Sequence, residues 1–121
     1  MKRKNQYKKK FVEKRRKKIL RIEEEKLIFS DGSIITFDHP QDCCEYNYAD
    51  FQQLDDLARN YEFEGELSFE AIEGSGFRFG DSRRLFFVPC YSEQNGYYTD
   101  EIDIYFNGKR VLAFSAEFVD C

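Results

Sequence analysis

The fold prediction starts from residues 101–115, which read EIDIYFNGKRVLAFS. Apolar and polar residues alternate on both sides of Asn107-Gly108. A period of two is typical of a strand with one buried face, and Asn-Gly between two such runs is typical of a hairpin turn. The segment therefore predicts two antiparallel strands with an apolar inner face and a solvated outer face.

The apolar positions of this segment also constrain its turn. All of them have even numbers: Ile102, Ile104, Leu112 and Phe114. Cross-strand partners on one face must then have an even sum, whereas a two-residue loop gives an odd sum. We therefore predict a three-residue connection with Gly108 left-handed in a G1-type bulge. The opposite, acidic face is predicted to carry these residues: Thr99, Glu101, Asp103, Ser115 and Glu117.

The strand pattern continues toward the amino terminus. Residues 85–91, 97–106 and 110–119 are predicted as three long antiparallel strands, with Asn95-Gly96 as the first of their two turns. Further upstream, Asp31-Gly32 between two apolar runs predicts another hairpin, because glycine accepts the positive φ that such turns need. Residues 67–71 alternate in the same way and predict one more strand.

One stretch within the body has helical spacing instead. In residues 50–60 the apolar positions recur three or four residues apart, and Asp50 precedes them as a candidate N-cap. The glycine- and serine-rich stretch 73–81 is predicted to be a flexible connection. The fold class is therefore α+β, with a curved antiparallel sheet of about five to six strands and one packed helix.

Charge divides the 121-residue chain into two parts. Residues 1–22 carry 12 Lys/Arg against one acid, about +11, and residues 23–121 carry 7 against 22, about −15. We predict a basic amino-terminal arm over 1–22, able to form a helix over 11–22, and a single β-rich domain over 23–121. With 17% aromatic residues, the body is apolar enough to bury a core.

The arm predicts a polyanionic partner. Lysine and arginine that neutralise phosphates release counterions, so RNA, DNA or a nucleoprotein is the expected ligand. An acidic protein surface, a membrane surface and a solubilising tail without a ligand are the alternatives. The predicted nucleic-acid-binding residues are Lys2, Arg3, Lys4, Lys8, Lys9, Lys10, Lys14, Arg15, Arg16, Lys17 and Lys18.

No apolar run is long enough to cross a bilayer, and no signal peptide opens the chain. We therefore expect a cytoplasmic protein with no membrane partner, whose four cysteines stay reduced.

The cysteine- and histidine-containing stretch 39–45 invites a chemical interpretation. A zinc site would need four ligands, for example His39, one of the Cys43-Cys44 pair, Cys90 and Cys121, but no C-x-x-C pair supports it. A cysteine nucleophile with His39 as base is the second possibility. The simpler interpretation is a buried cysteine and a histidine that holds the loop, so we expect no cofactor and no metal.

Two other patterns carry weaker chemistry. The run from Gly74 to Gly80 lacks the Gly-Lys-Ser/Thr ending of a phosphate loop. On a strand, Glu101 and Asp103 share a face while Asp100 points away, so these three carboxylates do not form a two-metal site.

Several blocks in order resemble a known family. They are Ser30-Asp31-Gly32, the block His39-Pro40-Gln41-Asp42-Cys43-Cys44-Glu45, the acidic stretch 50–56 and Asn95-Gly96-Tyr97-Tyr98-Thr99. Together they are similar to a family of small proteins from bacteriophages and bacteria, the domain of unknown function DUF7448. The resemblance spans about residues 27–106 and leaves out the basic arm.

The resemblance implies a phage or mobile-element origin and one constellation of residues. Its members are His39, Gln41, Asp42, Cys43, Cys44, Glu45, Asn95, Tyr97 and Tyr98. We expect a non-enzymatic accessory protein, whose arm binds nucleic acid or a nucleoprotein and whose acidic domain contacts protein. One form is an inhibitor of a host defence effector. The alternative is a small Cys/His enzyme or zinc-binding protein centred on residues 39–45.

Overall fold

The structure is a computed structural model that describes residues 16–38, 46–96 and 99–120. Most of the described chain is β-strand, with a 3₁₀ turn at Phe51–Gln53 and one short helix, α1, at Asp56–Asn60. The strands β1 to β12 are, in chain order, Arg16–Lys17, Ile19–Ile22, Lys26–Phe29, Ile34–Asp38, Tyr46–Ala49, Phe63–Glu64, Ser68–Ile72, Gly76–Gly80, Leu85–Gln94, Glu101–Phe106, Lys109–Ser115 and Glu117–Asp120. Among the described residues, no helix is long and apolar enough to cross a membrane.

The first sheet has the strand order β11-β10-β4-β3-β2 and contains the predicted β3–β4 hairpin. Gly32 has φ +90°, and the Asp31 carboxylate accepts from the Ser33 amide at 2.9 Å and from the Ser33 hydroxyl at 2.6 Å. The Asp31-Gly32 turn is therefore confirmed, and its side-chain bonds fix the register of the two strands.

The β10–β11 hairpin is confirmed, but its predicted three-residue turn is wrong. Asn107 and Gly108 alone form the connection, with φ values of 52° and 81°. Tyr105 lies opposite Arg110, but Ile104 lies opposite Leu112, so Val111 is an extra residue that forms a β-bulge. Beyond this bulge the numbers of paired residues have an even sum, as the apolar pattern requires. The parity argument identified the apolar face correctly, but a bulge in the strand satisfies it as well as a longer loop does.

The second sheet has the order β12-β9-β8-β7, and β5 also pairs with β9. Its strand β8 lies within 73–81, where we predicted a flexible connection. Gly76 and Gly80 are buried, and a Cβ atom on either would meet the main-chain oxygen of Val88 or Arg84. These glycines permit close approach of two strands, and only residues 73–75 form the turn.

The predicted hairpin at Asn95-Gly96 is wrong, since β9 and β10 belong to different sheets. The chain crosses between the sheets after β9 and crosses back at Ala116, so that β12 runs parallel to β9. The single curved sheet of the prediction is thus two five-stranded sheets and a small pair, β1–β6. Alternation predicts strands well but does not show which sheet a strand joins.

The predicted helix over 11–22 is contradicted over its described part, because residues 16–22 form β1 and β2. Ile19 and Ile22 both pack against the core although they are three residues apart. A bulge at Leu20 explains this spacing, since Ile19 lies opposite Phe29 and Arg21 opposite Ile28. A strand with a bulge therefore has the apolar spacing of a helix. Residues 11–15 lie outside the described part.

The predicted helix over 50–60 is divided into two short elements. Asp50 caps the 3₁₀ turn by accepting from the Gln52 amide at 3.2 Å, and Asp55 caps α1 by accepting from the Ala58 amide at 3.1 Å. The second capping aspartate ends the first element, because an N-cap residue is not itself helical.

Both large sheets bury one common core, which is rich in phenylalanine. Phe29 of the first sheet meets Phe79 of the second at a ring-centre distance of 6.2 Å, and Phe63 lies 5.6 Å from each of them. The coarse prediction of a β-rich α+β fold with one helix is confirmed, and the helix is shorter than predicted.

Candidate functional site

The family-like constellation lies almost wholly outside the described residues. Asn95 is its one described member and is exposed in the bend that follows β9. The others that fall outside are His39, Gln41, Asp42, Cys43, Cys44, Glu45, Tyr97 and Tyr98. Their grouping stays a prediction.

The described ends of the two motif blocks do meet. Tyr46, which follows the first block, pairs with Glu93 near Asn95. The Asn47 side-chain amide donates to the main-chain oxygens of Thr99 and Glu101, at 3.0 Å each. The residues that follow the first block therefore lie next to the residues that flank the second block.

A buried polar network makes this junction. Asn47, Ser92 and Gln94 are each at most 1% exposed. The Ser92 hydroxyl donates to Asn47 Oδ1 at 2.6 Å, and Gln94 Nε2 donates to Ser92 Oγ at 2.7 Å and to the Thr99 oxygen at 3.0 Å. Because these groups are satisfied inside the protein, the network positions the crossing between the sheets. Sequence reasoning missed it, although polar residues at inward positions of β5 and β9 are its signal.

On the opposite side of β5 and β9 lies an aromatic surface, the tyrosine face, which we define as Tyr46, Tyr48, Tyr91 and Glu93. The rings of Tyr46 and Tyr48 stack at 4.7 Å and 20°, and Tyr91 lies 5.7 Å from Tyr48. The Tyr48 hydroxyl donates to Glu93 Oε2 at 3.0 Å. Burial and this hydrogen bond raise the pKa of Tyr48 to about 12, so the hydroxyl stays protonated at neutral pH.

Further carboxylates surround the tyrosine face. Partial burial, followed by the charges of Glu24, Glu25 and Glu93, raises the pKa of the Tyr46 hydroxyl. Glu24 and Glu25 belong to the β2–β3 turn of the first sheet, so both sheets contribute acids to the face. Aromatic rings beside carboxylates are the surroundings that bind a lysine or arginine side chain.

The most strongly perturbed acid among the described residues is Asp81, whose side chain is fully buried. Burial alone would raise its pKa, but hydrogen bonds from Glu64, Arg83 and Tyr61 hold the pKa far below its ordinary value. The amides of Glu64, Arg83 and Arg84 donate to it at 2.9, 2.9 and 3.0 Å, and the Tyr61 hydroxyl at 3.0 Å. Through these bonds Asp81 fixes the 81–84 loop against β6.

The predicted acidic face is present on the outer side of the first sheet, without Glu117. Glu101 lies opposite Ser115, and Asp103 lies between Ala113 and Asp38. Asp38 and Asp103 are thus cross-strand partners on this face, and Arg110 Nη1 lies 3.9 Å from the Asp103 carboxylate. Glu117 lies on β12 in the other sheet, because the chain changes sheets at Ala116.

Cys90 does not suit the zinc or nucleophile hypotheses. Its side chain is fully buried in the core, and burial raises the pKa of its thiol to about 12. The thiolate form of Cys90 is therefore disfavoured, whereas a cysteine must be a thiolate to bind zinc or to act as a nucleophile. In the described part of the chain, no group of three His, Cys, Asp or Glu side chains is arranged to hold a metal. His39, Cys43, Cys44 and Cys121 lie outside it.

Three of the predicted nucleic-acid-binding residues are described, and two of them contact acids of the same chain. Arg16 Nε lies 3.2 Å from Glu64, and Lys17 Nζ lies 3.3 Å from Asp31. The Lys17 side chain is only 13% exposed, whereas Lys18 is exposed. The remaining members, Lys2, Arg3, Lys4, Lys8, Lys9, Lys10, Lys14 and Arg15, lie outside the described residues.

The chain matches no protein-family model, no curated protein and no solved structure. The similarity to the DUF7448 family therefore stays a prediction from the motif residues.

Proposed function

We propose that this protein acts by binding, with its amino-terminal segment holding a polyanion such as RNA, DNA or a nucleoprotein. The acidic outer face of its first sheet contacts a protein partner. In the form suggested by the resemblance to phage proteins, that partner is a host nucleic-acid-handling effector, and the carboxylates imitate a phosphate backbone.

The observation that carries the proposal is the attachment of the basic segment, residues 1–15, to the folded body. Arg16 and Lys17 directly follow this segment, and their ion pairs with Glu64 and Asp31 fix them to the body. Residues 1–15 still carry eight Lys/Arg against one Glu, about +7. The positive segment attracts polyanions, whereas the acidic body repels them. A bound polyanion is therefore expected to lie along the segment and away from the body.

The acidic face supports the second half of the proposal. Asp103 and Asp38 face one another across β10 and β4, and Glu101 lies on the same side of the sheet. Carboxylates on one side of the sheet give this surface a negative potential, which favours contact with a basic surface of a partner.

The test is binding of a single-stranded RNA oligomer by fluorescence anisotropy across a salt series. We compare the full chain with the triple variant Lys8→Gln, Lys9→Gln, Lys10→Gln. Removing three phosphate contacts should make the negative slope of log K against log salt shallower by about 2. Binding at low salt should also become weaker.

The matched control is Lys26→Gln, Arg84→Gln, Lys109→Gln, which removes the same charge from exposed positions of the body. If both triple variants lose affinity equally, net charge and not the segment governs binding. If the full chain binds neither RNA nor DNA at low salt, the polyanion proposal is wrong.

A further inference from the structure

The tyrosine face has the composition of a cation site and adjoins unpaired acids. Tyr46 is 37% exposed, and its stacked partner Tyr48 is bonded to Glu93. Within the described part of the chain, Glu24, Glu25 and Glu93 take part in no ion pair. Among the described residues, the face therefore combines aromatic rings with carboxylates that no basic side chain pairs.

Two basic side chains of the same protein are already held by an aromatic ring and a carboxylate. Lys17 Nζ lies 5.0 Å from the ring centre of Phe29 and 5.1 Å from that of Phe106, and it also meets Asp31. The Arg83 guanidinium lies 5.2 Å from the Tyr61 ring centre while it bonds to Asp81. In both cases an aromatic ring and a carboxylate hold one basic side chain.

The basic segment is within reach of the face. Glu24 is eight residues from Arg16, so the two are at most about 29 Å apart, whereas residues 1–15 span up to about 50 Å when extended. Attachment to the same chain gives the segment an effective concentration at the face on the order of millimolar, as it does for other linked binding modules. A segment of the same molecule is thus favoured over one from a second copy.

We propose that the tyrosine face, together with Glu24 and Glu25, is the docking site for the basic segment 2–15 of the same chain. This inference rests on the proposed function in one respect: a polyanion and the face then compete for the same lysines. Docking keeps the segment on the body until a polyanion displaces it, which selects for multivalent ligands over single phosphates.

The test is zero-length coupling of the full chain with a water-soluble carbodiimide at low salt, read out by peptide mass spectrometry. The reagent joins a lysine amine to a carboxylate in contact with it. We expect Lys2, Lys4, Lys8, Lys9, Lys10 or Lys14 to couple to Glu93, Glu24 or Glu25 in a product of monomer mass. Coupling to Glu66, an exposed acid in another turn, should be several-fold lower.

The variant Tyr46→Ser separates docking from general charge attraction. It removes a ring and no charge, so we expect several-fold less coupling at Glu93, with the native fold retained in the circular dichroism spectrum. Glu93→Gln should likewise reduce coupling at Glu24 and Glu25. Equal coupling of the segment to Glu66, or no effect of Tyr46→Ser, overturns the proposal. A product of dimer mass does so too, by showing a second copy at the face.

A single-stranded RNA oligomer added before the reagent tests the link to the proposed function. Loss of coupling as RNA concentration rises supports both ideas. If the segment couples to the face but anisotropy shows no RNA binding, docking stands and the polyanion function fails. If RNA binds and leaves coupling at the face unchanged, the two do not compete and the proposed competition is wrong.

Discussion

At the scale of single residues, Gly76 and Gly80 set how closely β8 and β9 approach. Neither glycine has a positive φ, so the reason for glycine is space and not backbone conformation. We predict that Gly80→Ala destabilises the protein by roughly 1–3 kcal/mol, because its Cβ would push against the Arg84 carbonyl. Urea unfolding measures this, with the exposed Ser82→Ala as control. Equal stability of the two variants would show that the strands can separate without cost.

Asp81 is the residue whose charge the fold depends on most directly. Asp81→Asn replaces an acceptor of several N–H and O–H donors by a group that offers one oxygen and an NH₂. We expect a loss of roughly 1.5–3 kcal/mol in the free energy of unfolding at neutral pH, measured with urea. Asp120→Asn, at an exposed strand end, serves as the control and should be nearly neutral.

The pH dependence of Asp81→Asn has a definite sign. The pKa of Asp81 in the folded protein is lowered from 3.8, so its contribution is fully present above the unfolded pKa and is lost as the pH falls toward the folded value. The stability difference between wild type and variant should be constant from about pH 8 to 5 and shrink below about pH 4. A difference that disappears already near pH 6 would mean that another group is responsible.

At the scale of elements, two bulges explain which sequence predictions held. Apolar alternation located β10 and β11 and their inner face, because a residue's side is set by the period of two. The bulge at Leu20 gave β2 an apolar spacing of three, which resembles a helix, and local spacing does not distinguish the two. Only the pairing with β3, a contact between sequence neighbours across a turn, decides it.

The bulge in β11 makes a prediction about deletions. Val111 is the extra residue between the pairs Tyr105–Arg110 and Ile104–Leu112. Deleting it leaves both pairs intact, so the cost should be the lost packing of one half-buried valine, roughly 1–2 kcal/mol. Deleting Ala113 instead shifts Phe114 to the solvent face and should cost roughly 3–5 kcal/mol, as removal of a buried phenylalanine does.

Thermal unfolding and two-dimensional NMR spectra compare the two deletions. We expect near-native spectra without Val111 and broad loss of dispersion without Ala113. If both deletions are equally damaging, the twist that the bulge gives to β11 is itself required for packing.

At the scale of the whole molecule, the sequence showed strands but not their distribution between two sheets. β9 and β10 are adjacent in sequence and both alternate, yet the crossing between them is held by Gln94 and Asn47 through hydrogen bonds to the Thr99 main chain. Such long-range polar contacts leave little trace in local periodicity. The candidate site follows the same rule, because the tyrosine face forms only when β5 pairs with β9, 45 residues apart at Tyr48 and Glu93.

The division between arm and body gives the last prediction. β2 pairs with β3, and Ile19 and Ile22 pack on the core, so these residues stabilise the body although their charge assigned them to the arm. We expect residues 16–121 to unfold within about 1 kcal/mol of the full chain, because surface ion pairs of the removed segment contribute little to stability. Residues 23–121 should lose roughly 2–5 kcal/mol and aggregate, since β3 becomes an exposed edge with Leu27 and Phe29 uncovered. Urea unfolding and light scattering of the three chains test this, and equal stability of the two truncations would place β2 outside the cooperative fold.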